Sequence, residues 1–167
     1  MPRGAHLIDA RPRRWLALLT TAVALSGCSG GAVELDAEPP EGSAAEACAD
    51  LLEALPDQVA DQPAREVEPE TALGAAWGDP PIVLSCTDEP PSGFGRTSTC
   101  TTANGVDWYL PEEQVTVEEV GKVTMTAVNR EAFVRVELPP EHWPPATTMV
   151  DLAEAISETL QRTGRCR

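Results

Sequence analysis

The sequence predicts an α+β fold: an antiparallel sheet of about four to five strands, with an N-terminal and a C-terminal helix packed on one face. Apolar residues recur at helical spacing near both ends of the chain, and the region between them alternates apolar and polar residues as strands do. An Asn-Gly pair within that region is typical of a tight β-hairpin. Four cysteines spread over the same region predict two disulfides.

Residues 1–27 have the pattern of a lipoprotein signal peptide. Four arginines precede an apolar run over residues 15–25. This run is too short to span a bilayer, because a spanning helix takes about 20 apolar residues. The sequence Leu-Ser-Gly-Cys at 25–28 resembles the bacterial lipobox, in which a peptidase cuts before the cysteine and the thiol receives a lipid that can carry palmitate. We therefore predict lipid attachment at Cys28 and anchoring to the outer face of the cell membrane.

An ordinary secretory signal is the alternative, because residues 22–24 form an A-x-A cleavage site. Cleavage there would leave a barely sufficient apolar centre at 15–21. It would also leave Cys28 as an unpaired thiol in an oxidising compartment, since the chain has five cysteines. Lipidation accounts for the odd cysteine. The arginine pair at 13–14 leaves open whether export follows the general or the twin-arginine route.

The charge of the chain restricts its partners. The net charge is −15, and four of the 12 basic residues and one of the 27 acidic residues precede Cys28, so the mature chain would carry −18. Such a charge argues against nucleic acid, whose phosphates require Lys and Arg. Nothing resembles a basic amphipathic helix, so we expect contact with the membrane through the lipid anchor only. Solubility explains the acidity most simply, and cation binding is the alternative.

The mature chain is predicted to form a flexible acidic tether at 28–43 and a single α+β domain at 44–167. The tether is rich in Gly, Ala, Pro and Glu and lacks apolar periodicity. In the domain, alternation, turn residues and helical spacing define each element. The predicted elements are a helix at 43–55, strands at 82–87, 99–103 and 106–110, a strand around Val115 and Val117, strands at 123–127 and 132–138, and a helix at 146–163.

The ends of these elements follow from caps and turns. Ser43 is expected to cap the first helix, with Glu46 as its capping-box partner and Pro56 as its end. Residues 57–71 are predicted to be a loop with at most one short strand around Val67. Asn104-Gly105 favours a type I′ turn between two strands. A second hairpin is expected to turn near Asn129-Arg130, and Gly164 is expected to end the last helix.

Four cysteines remain once Cys28 is lipidated, and they allow three pairings. We predict the pairs Cys86–Cys100 and Cys48–Cys166. The first would join two predicted strands that are linked by a loop rich in Pro and Gly. The second would join the first helix to the residues after the last helix, because both helices are expected to cover the same face of the sheet.

Three stretches resemble the family known as domain of unknown function 3515, found in secreted proteins and lipoproteins of high-GC Gram-positive bacteria. They are CADLLEALP at 48–56, AWGDPPIVLSC at 76–86 and NGVDW at 104–108. The resemblance covers the chain from about Cys48 to the C-terminus. It implies an envelope location and brings no catalytic residues, cofactor or metal ligands. The chain departs from the pattern after Cys86, where Thr87-Asp88 stands in place of an expected Gly.

Few residues are candidates for catalysis. His142 is the one histidine of the mature chain, and a Ser-His-Asp triad would require it. Its proline-rich surroundings favour a loop histidine instead. The pairs Glu112-Glu113 and Glu118-Glu119 are expected to point to opposite faces of strands and to be solvated. Asp57, Asp61, Asp88 and Glu89 could hold calcium but lack EF-hand spacing. We therefore predict no cofactor and no metal.

Trp77 and Trp108 are expected in the core, with a sugar-stacking platform as the functional alternative. The sequence thus favours a lipid-anchored, non-catalytic module that binds an envelope protein or a cell-wall ligand. The alternative is an extracytoplasmic hydrolase that uses carboxylates or His142.

Overall fold

The computed structural model describes residue 1, residues 31–115 and residues 121–166. Residues 2–27 of the predicted signal peptide, Cys28, Val117 and the pair Glu118-Glu119 lie outside this range, and so does the last residue of the predicted domain. Among the helices that the structure describes, none has the length and apolar character needed to cross a bilayer.

Two α-helices of three or more turns, one single-turn helix and ten strands make up the described chain. The elements in order are β1 (Val33–Glu34), α1 (Ser43–Ala54), β2 (Gln58–Val59), β3 (Gln62–Arg65), β4 (Val67–Glu68), β5 (Gly74–Trp77), β6 (Ile82–Thr87), β7 (Thr101–Ala103), β8 (Val106–Tyr109), α2 (Glu112–Val115), β9 (Val123–Val128), β10 (Phe133–Leu138), a 3-10 turn (Pro140–His142) and α3 (Pro145–Thr159). The α+β class predicted from the sequence is confirmed.

Eight of these strands form one antiparallel sheet in the order β2-β3-β5-β6-β10-β9-β8-β7. The sheet is larger than the four to five strands predicted. The prediction missed β2 and β3, which lie in the polar region 57–71, where short strands and a proline give no alternating pattern. It also missed β5, whose four residues are too few to show a period. Both predicted hairpins are present, one turning at Asn104-Gly105 with positive φ at both residues and the other at Asn129.

One face of the sheet carries the core. In β10 every second residue is buried, and Val134 and Val136 pair with Cys86 and Leu84 of β6. Trp77 and Trp108 are each at most 1% exposed and belong to the same cluster, as expected. Helix α1 packs against α3, and Cys48 of α1 is joined to Cys86. Hydrophobic burial of this shared face is what holds the helices on the sheet.

Three local predictions are wrong. Helix α3 ends at Thr159 with Leu160 as its C-cap, four residues before the predicted end, so Gly164 does not end it. Val115 is the last residue of helix α2 rather than part of a strand, and Val117 lies outside the described residues. Pro111 stands just before this helix, where proline's fixed φ favours a helical start. Ser43 does not cap α1, because it is already the first helical residue; the N-cap is Gly42, with φ of 60° and no side-chain hydrogen bond. The end of α1 before Pro56 is as predicted.

The predicted cysteine pairing is also wrong, although two disulfides are present. Cys48 is bonded to Cys86, and Cys100 is bonded to Cys166. Three strands separate β6 from β7, so Cys86 and Cys100 lie roughly 19 Å apart at about 4.8 Å per strand. A disulfide needs Cα atoms within about 7 Å. The prediction treated β6 and β7 as neighbours because a loop joins them, whereas that loop crosses to the far edge of the sheet.

Part of the predicted tether contacts the domain. Val33 and Leu35 donate backbone hydrogen bonds to Glu66 and Glu68 at 2.8 Å, so that β1 and β4 form a parallel pair. Leu35 is 8% exposed. The short strand predicted around Val67 is β4, and its partner is this tether segment rather than the main sheet.

Candidate functional site

The loop at 88–100 is held on the face of the sheet opposite α1 by three aromatic rings. Phe94 lies 5.3 Å from Tyr109 and 6.5 Å from Phe133, measured between ring centroids. Tilted and edge-on contacts of this kind are the favoured geometry for aromatic pairs. Gly93 has a φ of 79°, and a Cβ there would lie 2.9 Å from the Tyr109 hydroxyl. A larger residue would therefore displace the ring that anchors the loop.

The tip of this loop is closed by its own hydrogen bonds. The backbone NH of Gly95 donates to the Ser98 hydroxyl at 2.9 Å, and the NH of Ser98 donates to the carbonyl of Gly95 at 3.1 Å. The Ser98 hydroxyl donates in turn to the carbonyl of Gly93 at 3.4 Å. These bonds present Arg96 and Thr97 at the exposed tip of a defined turn.

The C-terminal segment lies against the turn between β9 and β10. Thr163 donates from its NH to the carbonyl of Asn129 at 2.8 Å and from its hydroxyl to the carbonyl of Arg130 at 3.2 Å. The buried Arg130 donates to the carbonyl of Leu160 at 2.8 Å, and both Arg130 and Arg162 donate to the carbonyl of Gly105. Burial and the neighbouring Arg162 lower the pKa of Arg130, while Asp107 opposes this shift.

Asp107 joins the C-terminal segment to the β7–β8 hairpin at the edge of the sheet. It accepts hydrogen bonds from the Thr102 hydroxyl at 2.9 Å, from the backbone NH of Cys166 at 3.2 Å and from the Asn129 amide at 3.4 Å. Burial raises the pKa of Asp107, but these bonds and the charge of Arg162 outweigh burial, so the pKa lies below its ordinary value. The Cys100–Cys166 disulfide closes the same corner.

Two cavities flank the loop tip. We call the first the cationic cleft; it has a volume of about 740 Å³ and lies between the loop, the β9–β10 turn and the C-terminal segment. The second, the threonine cleft, has a volume of about 620 Å³ and lies between the loop, β7 and α2. The cationic cleft is lined by Phe94, Gly95, Arg96, Thr97, Ser98, Asn129, Thr163, Gly164, Arg165 and Cys166. The threonine cleft is lined by Gly93, Thr97, Ser98, Thr99, Cys100, Thr101, Tyr109, Leu110, Glu112 and Glu113.

The two clefts carry opposite charges and share Thr97 and Ser98. Among the described residues, Arg96 and Arg165 line the cationic cleft and no carboxylate does. Glu112 and Glu113 line the threonine cleft and no basic residue does. A ligand lying across the loop tip would therefore meet guanidinium groups at one end and hydroxyls with carboxylates at the other.

Glu112 and Glu113 were expected on opposite faces of a strand, and that expectation is wrong. They begin helix α2, where neighbouring residues are about 100° apart around the axis, so both can face one cavity. The prediction failed because a run of polar residues after Pro111 carries no clear period.

His142 lies in the 3-10 turn before α3, away from both clefts. Its Nε2 donates a hydrogen bond to the carbonyl of Pro80 at 2.7 Å, which ties this turn to the β5–β6 turn. No carboxylate in the described part of the chain hydrogen-bonds to this imidazole.

The candidate calcium ligands are spread over separate elements. Asp57 precedes β2 and Asp61 lies in the β2–β3 turn, whereas Asp88 and Glu89 follow β6, and β5 lies between β3 and β6. Across residues 31–115 and 121–166 the structure brings together no group of three or more metal-ligating side chains.

The tryptophans differ in how their indole nitrogens are bonded. Trp77 donates from Nε1 to the carbonyl of Pro56 at 3.1 Å, just after helix α1. The buried Nε1 of Trp108 has no partner within the described residues. Neither ring is exposed, so neither offers a stacking surface to a sugar.

A family model described as protein of unknown function (DUF3515) matches residues 15–164. The chain belongs to the DUF3515 family. The match begins earlier than the resemblance found from the sequence, so the apolar run and Cys28 fall within the length that the family model covers. No curated protein and no solved structure matches the chain.

Sequence reasoning did not find the residues of the cationic cleft. Arg96 and Arg165 are far apart in the chain and come together only through the crossover loop and the C-terminal segment. Single arginines in polar loops carry no local signal. The turn-forming Asn129 was recognised, but its place beside these arginines depends on the sheet order.

Proposed function

We propose that this DUF3515 protein is a lipid-anchored module on the outer face of the cell membrane that binds an envelope component at the loop tip between its two clefts, without catalysing a reaction. The cysteine usage carries the first part of this proposal. Two disulfides use Cys48, Cys86, Cys100 and Cys166, and Cys28 is the one cysteine left over. Disulfides persist in oxidising compartments, and a lipid thioether is the expected fate of a cysteine that follows a lipobox.

The form of the surface supports binding. The two clefts are open, polar and contiguous through Thr97 and Ser98, and the loop between them is fixed by the Phe94–Tyr109 contact and by the Gly95–Ser98 turn. Pre-formed clefts with a few convergent polar groups are typical of ligand sites, because little ordering entropy is lost on binding.

The anchor is tested by Cys28→Ser in the full chain expressed in the native host. Wild type should partition into detergent and take up a palmitate analogue, whereas the variant should do neither. Cys100→Ser/Cys166→Ser is the matched control, because it also removes two cysteines but leaves the predicted lipobox and the buried core bridge intact. A wild-type protein that begins at Leu25 and carries no lipid would overturn the anchor.

Binding at the loop tip is tested by a photo-crosslinking residue at Thr97 in intact cells. The matched control places the same residue at Val150, which is 46% exposed on α3 and lies outside both clefts. We expect an adduct of defined mass from Thr97 and none from Val150. The same adducts from both positions would show that the loop tip has no special role.

A hydrolase remains the second candidate because Glu112 and Glu113 both line the threonine cleft. Paired carboxylates can act as acid and base on one substrate. If the module only binds, cells that carry Glu113→Gln should show the same phenotype as cells that carry the wild-type protein. A folded, exported Glu113→Gln or His142→Ala protein that reproduces the phenotype of gene deletion would favour the hydrolase.

A further inference from the structure

We propose that the cationic cleft binds the phosphate group of a phosphate ester of a polyol or sugar, and that the threonine cleft receives the hydroxyl-bearing part of the same molecule. The inference rests on the proposed function, since it names the ligand class of that surface. Most of the basic residues in the described part of the chain lie at this corner, although the whole chain has a net charge of −15.

Basic residues are concentrated at this corner. Seven Lys and Arg residues fall within the described residues, and four of them are at the cationic cleft or next in sequence to a residue that lines it. The four are Arg96, Arg130, Arg162 and Arg165. Because acidic residues greatly outnumber basic ones elsewhere, this concentration makes the corner a local attractor for anions.

The guanidinium groups of Arg96 and Arg165 are available to a ligand, whereas those of Arg130 and Arg162 are already hydrogen-bonded. Arg130 and Arg162 donate to backbone carbonyls, as described above. Within the described range, Arg96 and Arg165 form neither a hydrogen bond nor an ion pair, and both are exposed in the cleft. The planar guanidinium fork matches phosphate oxygens in a bidentate manner, so a pair of free arginines across one cleft is suited to a phosphate group.

The backbone that carries these arginines is fixed before any ligand arrives. Arg96 stands in the hydrogen-bonded turn between Gly95 and Ser98. Arg165 precedes Cys166, which is held by the disulfide to Cys100 and by its NH bond to Asp107. Asp107 contacts Cys166, next to Arg165, and its carboxylate oxygens are occupied by three donors. It therefore competes little for Arg96 and Arg165.

The threonine cleft indicates the chemistry of the part of the ligand that carries the phosphate. Thr97 and Ser98 line both clefts, so a bound phosphate would lie close to the entrance of the threonine cleft. That cleft offers the hydroxyls of Thr99, Thr101 and Tyr109, which can both donate and accept hydrogen bonds, as sugar and polyol hydroxyls require. Glu112 and Glu113 make the same cleft unfavourable for a second phosphate.

The test titrates the full chain with inorganic phosphate and with glycerol 1-phosphate, followed by calorimetry or NMR. Arg96→Ala and Arg165→Ala should each weaken both ligands about tenfold, as loss of a charge-assisted contact does. Lys122→Ala is the matched control, because it removes the same unit charge from a surface ion pair outside the clefts; we expect a change of less than about twofold. Equal affinity in all three variants and wild type would overturn the proposal.

Thr101→Val separates the two halves of the ligand. Thr101 is exposed and lines only the threonine cleft, so this substitution should weaken glycerol 1-phosphate about threefold to tenfold and leave inorganic phosphate unchanged. Equal affinities of the two probes for wild type, or no effect of Thr101→Val, would overturn the role of the threonine cleft.

Vesicles of phosphatidylcholine with phosphatidylglycerol identify the source of the phosphate. Retention on the vesicles that depends on Arg96 and Arg165 would assign it to a lipid headgroup. Binding of glycerol 1-phosphate without retention would assign it to a soluble or polymer-borne ester. Saturable binding of neither probe overturns the inference, and a Thr97 crosslink obtained in cells would then leave the proposed function standing with a ligand of another class.

Discussion

The two disulfides join the chain in surroundings that differ in polarity. Cys48 and Cys86 are fully buried and link α1 to a central strand within the apolar core. Cys100 and Cys166 are half-buried and link the edge of the sheet to the C-terminal segment, next to Asp107 and the cationic cleft. The first bridge supports packing, whereas the second holds a polar surface in place. One small domain thus separates the part that stabilises it from the part that we propose binds.

The largest expected effect comes from removing the core bridge. The sequence separations are 38 and 66, so the chain-entropy model gives about 4 kcal/mol for each bridge, slightly more for the second. Cys48→Ala/Cys86→Ala should nevertheless cost about 5 kcal/mol in the free energy of unfolding, because it also leaves a cavity in the core. Cys100→Ala/Cys166→Ala should cost less. Chemical denaturation of both double variants decides between loop length and burial, and the reverse order would contradict our interpretation.

The two buried tryptophans give a second comparison, between an indole NH that donates a hydrogen bond and one that has no partner among the described residues. Trp77→Phe loses ring volume and the hydrogen bond to Pro56, and it leaves that carbonyl without its partner. Trp108→Phe loses ring volume only, because its Nε1 has no partner among the described residues. We expect about 2–3 kcal/mol for the first and about 1–2 kcal/mol for the second. Thermal and chemical unfolding measure both variants. If Trp77→Phe and Trp108→Phe lose the same stability, the Trp77 hydrogen bond adds no net stability.

The polar corner should respond to pH through Asp107. Its pKa is lowered in the folded state, so it stabilises the fold above the ordinary carboxyl pKa, and this contribution is lost as the pH falls through the folded value. Asp107→Asn should cost about 1 kcal/mol at neutral pH and progressively less below about pH 4. Unfolding curves measured across this range test it, with Asp50→Asn on the exposed side of α1 as the control for loss of one charge. A constant difference at all pH values would exclude a role for ionisation.

The smallest effect is expected at a glycine of the cationic cleft. A Cβ at Gly164 would lie 3.1 Å from Oδ1 of Asn129, so Gly164→Ala requires that side chain to shift and should cost about 0.5–1 kcal/mol. Gly95→Ala in the same cleft meets nothing within 4 Å and should be neutral or slightly stabilising. Differential scanning calorimetry measures the difference in stability between the two variants. Equal stabilities would show that the Asn129 side chain moves freely.

The sequence by itself determined the elements that have strong local periods or turn residues. Strand β6 lies where an apolar, β-branched run predicted it, and the Asn104-Gly105 hairpin turns at the expected residues. Helix α1 ends before Pro56 because proline cannot continue it. Short strands in polar sequence, such as β2 and β3, were missed because two to four residues give no measurable period.

Only the tertiary structure decided which of these elements are neighbours. The loop between β6 and β7 crosses β10, β9 and β8, which separates Cys86 from Cys100 and places Arg96 and Arg165 in one cleft. The physical reason is that a period of two or 3.6 residues reports which face of an element is buried, but not its partner. The partner is chosen by the packing of the whole apolar face, which involves residues from every strand at once.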